Sequence, residues 1–194
     1  MRTATLLLTA LLGFIPLTHA ESATAIFAGG CFWCMESDYQ EQKGVTEVVS
    51  GFIGGTLENP TYSGNHQGHF EAVKVSYDPA VISYQQLLDL FWVNVDPFDN
   101  KGQFCDKGFS YRSAIFVQGA GEQQLAEQSL TTVAQRFPEE KVYTEIRDAG
   151  KFWPVEEYHQ DYYLKNPLRY KYYRWNCGRD QRLEQLWGTP TAAH

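Results

Sequence analysis

The sequence predicts an α+β fold: a two-layer sandwich on a ferredoxin-like split βαβ core, with long loops and a C-terminal extension. Three observations carry this. Hydrophobic patterning runs strand, helix, strand, strand, helix, strand, helix, strand along the chain. A length of 194 residues with 43% hydrophobic content supports one domain with its own core. No repeat, low-complexity tract or linker marks a second domain, so residues 21–194 read as a single domain.

The elements follow in order. Met1 to Ala20 has Arg2, an apolar run from Ala4 to Ile15 and the small-residue ending Thr18-His19-Ala20. That is the build of a secretory signal peptide over residues 1–20, with an apolar run short for a membrane span. The expectation is an exported protein, periplasmic or secreted, without a stable membrane anchor. Thr24 to Ala28 is an apolar strand. Gly29-Gly30 then turns the chain into a helix from Cys31 to Gln42. Val45 to Phe52 is rich in β-branched residues and reads as a strand. A polar loop from Thr56 to His69 leads to Phe70–Tyr77, which alternates with period two and ends at Asp78-Pro79. Ser83 and Gln86 form a capping box for a helix whose apolar face is Leu87, Leu88, Phe91, Trp92 and Val95. Asp96 to Ser110 is a loop, Ser113–Val117 a strand and Glu122–Arg136 an amphipathic helix. Val142–Ile146 is a further strand, and a helix is expected over Glu156–Leu164.

Chemistry concentrates at Gly29-Gly30-Cys31-Phe32-Trp33-Cys34. A thiol at a helix N-terminus meets unpaired N–H groups and the positive end of the macrodipole. Such a thiol is biased toward thiolate, from about 8.5 in the free residue to about 7 or lower. Cys31 is therefore read as an ionised nucleophilic or redox cysteine. Phe32 and Trp33 are either core anchors or the wall of an apolar pocket beside it. Glu71 shares strand parity with Val73, Val75 and Tyr77, which puts it on the more apolar face. Burial there would raise its pKa and leave a neutral acid near pH 7; the plainer reading is a strand-entrance carboxylate, solvated or paired with Lys74 or Arg112.

Tyr62 and Tyr111 lie in or beside loops, where a hydroxyl can hold a substrate oxygen without bringing charge. Asp106, between Cys105 and Lys107, could orient such a hydroxyl. His66, His69 and His159 match no strong metal-ligand spacing, and Cys105 and Cys177 do not supply a second CxxC, so no metal is expected. A net charge of −7 disfavours nucleic acid, even with tyrosines and basic residues alternating over residues 169–174. That aromatic run reads as packing over the sheet. Four cysteines in an exported chain point to disulfides, and in a domain this size to redox use of at least one pair.

These residues resemble the methionine sulfoxide reductase A family, the peptide-methionine (S)-S-oxide reductases. The resemblance rests on Gly30-Cys31-Phe32-Trp33, Gly51-Phe52-Ile53-Gly54-Gly55, Asn59-Pro60-Thr61-Tyr62 and Gly68-His69-Phe70-Glu71-Ala72-Val73. It continues through Tyr77-Asp78-Pro79, Tyr111-Arg112-Ser113-Ala114-Ile115 and His159-Gln160 with Tyr162. It implies thiol-dependent reduction of the S epimer of methionine sulfoxide, free or protein-bound, in repair of oxidised exported proteins. Cys31 would attack the sulfoxide sulfur and Glu71 would protonate its oxygen. Tyr62 and Tyr111 would hold that oxygen, Asp106 would support the polar site, and Phe32 and Trp33 would wall the methyl pocket. A Cys31 sulfenic acid would then condense with a second thiol, and an external thioredoxin-like dithiol would reduce the disulfide. No bound cofactor is implied, and a monomer is the expectation. The chain departs from the common family pattern at Cys34, where glycine is frequent, at Phe52, where tyrosine is usual, and in a tail carrying only Cys177. Cys177 is the first choice for the resolving thiol, with Cys34 and Cys105 as alternatives.

Overall fold

The computed structural model describes residues 22–188, so the leader read over residues 1–20 lies outside the described residues. Strands β1 (Ala23–Gly29), β2 (Val45–Ile53), β3 (Phe70–Tyr77) and β6 (Ser113–Val117) form the centre of a six-stranded sheet. Their spatial order is β6-β1-β3-β2, all antiparallel, with helix α1 (Phe32–Gln40) between β1 and β2 and α2 (Tyr84–Val93) between β3 and β6. This is the expected split βαβ arrangement. Helix α3 (Ala120–Arg136) returns the chain to β7 (Glu145–Asp148), which pairs parallel with β6 at one edge. The two-residue strand β8 (Trp153–Pro154) closes the other edge against β2. A second small ladder joins β4 (Gly102–Gln103) to β5 (Asp106–Lys107) inside the loop expected after α2.

Alternation along β1 explains the layering. Ala25 and Phe27 face the main core with Met35, Tyr39, Leu87, Leu88 and Phe91 from α1 and α2. Ile26 and Ala28 face the opposite side with Ile53, Phe70, Ala72 and Phe116. The capping box of α2 is present: Ser83 Oγ accepts from Gln86 N–H at 3.2 Å and the Gln86 side chain accepts from Ser83 N–H at 2.9 Å. Ser83→Ala is expected to lower stability by about 1 kcal/mol, read from urea unfolding midpoints, with activity unchanged.

The C-terminal quarter differs from expectation. In place of one helix over Glu156–Leu164, a single 3-10 turn at Glu157–His159 precedes α4 (Tyr162–Lys165), α5 (Pro167–Asn176) and α6 (Arg179–Trp187). Asp161 adopts a left-handed conformation (φ 53°), which breaks the helix there. Pro167 begins α5 at its first position, and Gly178 (φ 68°) separates α5 from α6. The strand expected over Val142–Ile146 starts later, because Tyr143 N–H bonds Pro97 O at 2.7 Å instead of entering the sheet.

Candidate active site

The turn after β1 requires both glycines, because their surroundings leave no room for a side chain. A Cβ on Gly29 would meet Met35 Sδ at 2.5 Å, and Gly30 has φ +87° with Gln103 Cβ at 2.6 Å from where its own would stand. The turn delivers Cys31 as the N-cap of α1, with Cys34 and Met35 N–H groups bonding its carbonyl at 3.1 and 3.3 Å. The next N–H, that of Phe32, donates to Glu71 Oε2 at 3.2 Å. Glu71 lies on β3 opposite Phe52 of β2 and is 1% exposed.

That one hydrogen bond reassigns the expected electrostatics. The helix N-terminus serves the Glu71 carboxyl rather than the Cys31 thiol. Burial still pushes Glu71 up to about 8; the Phe32 N–H opposes this and the Asp106 charge adds to it. Its other oxygen, Oε1, is buried without a hydrogen-bond partner. The carboxyl is thus neutral at pH 7, as the strand parity suggested. Cys31 differs from expectation. It is 7% exposed, and burial raises its thiol well above the ordinary value, with the Cys34 contact and the Glu71 charge adding to the rise. Cys34 moves the other way: the Cys31 thiol donates to its sulfur, and Arg179 and Arg174 lower it further against the cost of burial. At rest Cys31 is therefore a buried thiol held toward its neutral form, not a thiolate stabilised by the helix dipole.

The predicted oxygen-holding groups converge on this pair. Tyr62 lies in the loop between β2 and β3, anchored by its N–H to Glu156 Oε2 at 3.3 Å. Its ring packs on Phe32 and Trp33 at 6.0 and 6.4 Å between centroids. Burial pushes its hydroxyl up to about 12, with the charges of Glu71 and Cys31 adding to the rise. Tyr111 ends a 3-10 turn at Phe109–Tyr111, and its hydroxyl is raised by burial and by Glu71, Tyr62, Asp106 and Cys31 in turn. Asp106 sits on β5 and is raised by burial, while Tyr173, Arg179 and Lys107 hold it down.

Phe32 and Trp33 divide their expected role. Phe32 has no exposed surface and packs edge-on against Phe52 at 5.9 Å, so it belongs to the core behind the site. Trp33 is partly exposed and stacks on Tyr162 at 3.8 Å and 7°. Its indole N–H donates to His159 Nδ1 at 3.1 Å, which leaves the neutral imidazole its proton on Nε2. His69 does not face the site as a ligand. Its Nδ1 accepts from Gly55 N–H at 3.3 Å and its Nε2 lies 2.8 Å from Leu57 O, so it braces the β2–β3 loop.

Cys105 and Cys177 form a disulfide, and Cys31 and Cys34 are free. The disulfide lies at the surface: Cys105 is exposed and Cys177 half-buried. Among the described residues the one group of metal-type donors is Cys105, Asp106 and Cys177, whose sulfurs are spent in that bond. Sequence reasoning missed three supporting groups. Glu36 on α1 is fully buried, accepts from Asp161 N–H at 2.9 Å and Ser50 Oγ at 3.2 Å, and is pushed by burial up to about 7. Arg179, 2% exposed, donates to Gly29 O at 3.3 Å and Asn94 O at 2.6 Å behind the glycine turn. Tyr173 on α5 donates to Asp106 Oδ2 and packs in the cluster around Cys31 and Cys34. The aromatic run therefore covers the thiols rather than the sheet. No local signal distinguished these three, because each is a polar or amphipathic residue whose burial depends on a distant segment.

A family model described as "Peptide methionine sulfoxide reductase" matches residues 23–191. Peptide methionine sulfoxide reductase MsrA 2 of Caulobacter vibrioides is 50% identical over 175 residues, covering 89% of each chain. The solved methionine sulfoxide reductase A of Corynebacterium diphtheriae is 31% identical with a TM-score of 0.69, covering 82% of this chain and 81% of that one. Reduced Mxr1 from Saccharomyces cerevisiae is 28% identical with a TM-score of 0.69, covering 76% and 87%. Mxr1 has also been solved in complex with Trx2; that chain aligns at 21% identity and a TM-score of 0.54 over 76% and 89%, and shares the fold.

Proposed function

Since this chain belongs to the peptide methionine sulfoxide reductase family, we propose that Cys31 attacks the sulfoxide sulfur while Glu71 protonates the departing oxygen. The enzyme reduces methionine sulfoxide to methionine, and these roles are the reading its site supports best. The observation that carries it is Glu71: buried, un-ionised below about pH 8, and tied at 3.2 Å to the residue after the nucleophile. A sulfoxide oxygen leaves poorly as an oxide, so a thiol nucleophile needs such an acid beside it. Tyr62 and Tyr111 hydrogen-bond the oxygen, and Asp106 completes the polar rim. Trp33 walls the methyl subsite with Phe32 packed behind it, and the shape of that wall selects the S epimer.

Attack releases methionine and leaves Cys31 as a sulfenic acid, which loses water on condensing with a second thiol. Cys177, first choice from sequence, is paired with Cys105 here. Cys34 is free and hydrogen-bonded to Cys31, which supports it as the resolving thiol. The Cys31–Cys34 disulfide then exchanges with the Cys105/Cys177 dithiol. Cys31 and Cys34 return to thiols and Cys105–Cys177 becomes the disulfide, which is the state of this structure. Its exposed position suits reduction by an external thioredoxin-type dithiol, and the yeast relative Mxr1 has been solved with Trx2. The leader read over residues 1–20 supports an exported, periplasmic or secreted location and oxidised exported proteins as substrates. Nothing in the site requires a bound cofactor, and the chain is proposed to work as a monomer.

The test is a count. Fully reduced protein given excess methionine sulfoxide and no reductant is expected to release about two equivalents of methionine per chain. Cys105→Ser should release about one, with Cys31–Cys34 as its mapped disulfide. A single equivalent from the wild type, ending in a mapped Cys31–Cys177 bond, would refute the two-pair order and restore Cys177 as the resolving thiol.

A further inference from the structure

The buried neutral Cys31 needs something to support its ionised form, and the helix N-terminus is already committed to Glu71. Around the sulfur stand Cys34 from α1, Glu71 from β3 and Tyr173 from α5. Cys34 and Glu71 both oppose a second negative charge, whereas a hydroxyl is a neutral donor that favours one.

Tyr173 is placed by its surroundings with little freedom. Its ring meets Trp33 edge-on at 5.8 Å, and it packs in the cluster of Cys31, Cys34, Tyr162 and Tyr170. Its backbone carbonyl accepts from Cys177 N–H at 2.9 Å, which ties it to the residue carrying the disulfide. Its hydroxyl donates to Asp106 Oδ2, and that same oxygen lies 3.9 Å from Cys177 Sγ. A hydroxyl has one proton to give; here the Asp106 carboxylate takes it, and the Cys31 sulfur packs in the same cluster as the competing acceptor.

We propose that Tyr173 is a further catalytic residue, whose single hydroxyl proton supports the Cys31 thiolate when it turns from Asp106 to the sulfur, and that Asp106 competes for it. The inference deepens the reading of Cys31 as nucleophile and rests on it. Tyr62 and Tyr111 serve the substrate oxygen; Tyr173 serves the sulfur. The direction of the hydroxyl's effect agrees, since it lowers the otherwise raised thiol. Burial raises Asp106, while Tyr173, Arg179 and Lys107 act against that rise in favour of its charged, proton-accepting form.

The experiment measures iodoacetamide alkylation of Cys31 against pH, mapped by mass spectrometry, on full-length protein with Cys105–Cys177 intact. A hydrogen bond to a charged group contributes enough that Tyr173→Phe is expected to slow alkylation below the midpoint by about tenfold, an upward midpoint shift of about one unit. Asp106→Ala, which frees the hydroxyl, is expected to move the midpoint down. Opposite shifts are something a merely structural role for Tyr173 would not produce. An unmoved midpoint in Tyr173→Phe, or shifts of the same sign in both variants, overturns the proposal. If Tyr173→Phe loses its near-ultraviolet dichroism, Asp106→Ala decides alone, and a midpoint that does not fall overturns it. Single-turnover methionine release by the same wild-type sample separates the two readings. Its absence sinks the nucleophile assignment, whereas release with unmoved alkylation midpoints sinks only Tyr173.

Discussion

Cys31→Ser is expected to abolish methionine release, with a loss of roughly 10⁴-fold or more in single-turnover rate. The step forms a bond from a sulfur to the sulfoxide sulfur, and a hydroxyl in the same place is a far poorer nucleophile at any accessible pH. Cys34 does not stand in for it. It is 2% exposed and lies a turn along α1, behind Cys31 and packed with Tyr162 and Tyr170. The variant should keep its fold, because the change replaces sulfur by oxygen in a residue whose structural bonds run through its backbone carbonyl. Thermal midpoints and the mapped Cys105–Cys177 disulfide check that. Turnover within tenfold of wild type in a folded Cys31→Ser protein would place the chemistry on another thiol.

Glu71→Gln is expected to slow the reductive step by about 10²–10⁴-fold, the usual worth of a positioned general acid. The pH profile carries the sign. In the proposed mechanism the productive form has Glu71 protonated and Cys31 ionised, and the carboxyl titrates at about 8 while the thiol lies above its ordinary range. The wild-type single-turnover rate should therefore rise with pH only up to about 8, then level as the lost acid offsets the gained thiolate. Glu71→Gln has no such acid to lose, so its rate should keep rising through that region, and the deficit should narrow. Stability gives an independent reading of the same group. A carboxyl raised in the fold holds its proton more tightly there than in the unfolded chain. Its contribution is full below the ordinary carboxylate range and is lost as pH climbs to about 8. Urea midpoints of Glu71→Gln should lack that decline. A variant profile that still levels at about 8 would assign the break to another group.

Much of this protein was legible from local pattern. The strand–helix order and the capping box at Ser83 followed from periodicity and turn chemistry alone. Glu71 was legible because strand parity is a local property: alternate side chains share a face, so a carboxyl in phase with Val73 and Val75 is carried into their interior. The same locality limited the reading of Cys31. Its place at a helix N-terminus was evident, but which group takes the first N–H depends on β3 lying beside that turn, 39 residues away. Tyr173, Arg179 and the C-terminal helices were illegible for a related reason. Aromatic and basic residues alternate through α5 without a clean apolar stripe, so nothing local says which side is covered.

By itself the sequence determined the central strand–helix order, the place of Cys31 at a helix N-terminus and the burial of Glu71, because each depends on neighbours within a few residues. Only the tertiary structure decided where the protons and electrons rest. It gave the helix N-terminus to Glu71, left Cys31 neutral beside Cys34, and joined Cys105 to Cys177 across 72 residues. Protonation and disulfide pairing depend on burial and on distances between segments remote in the chain, and those distances are set only when the chain packs.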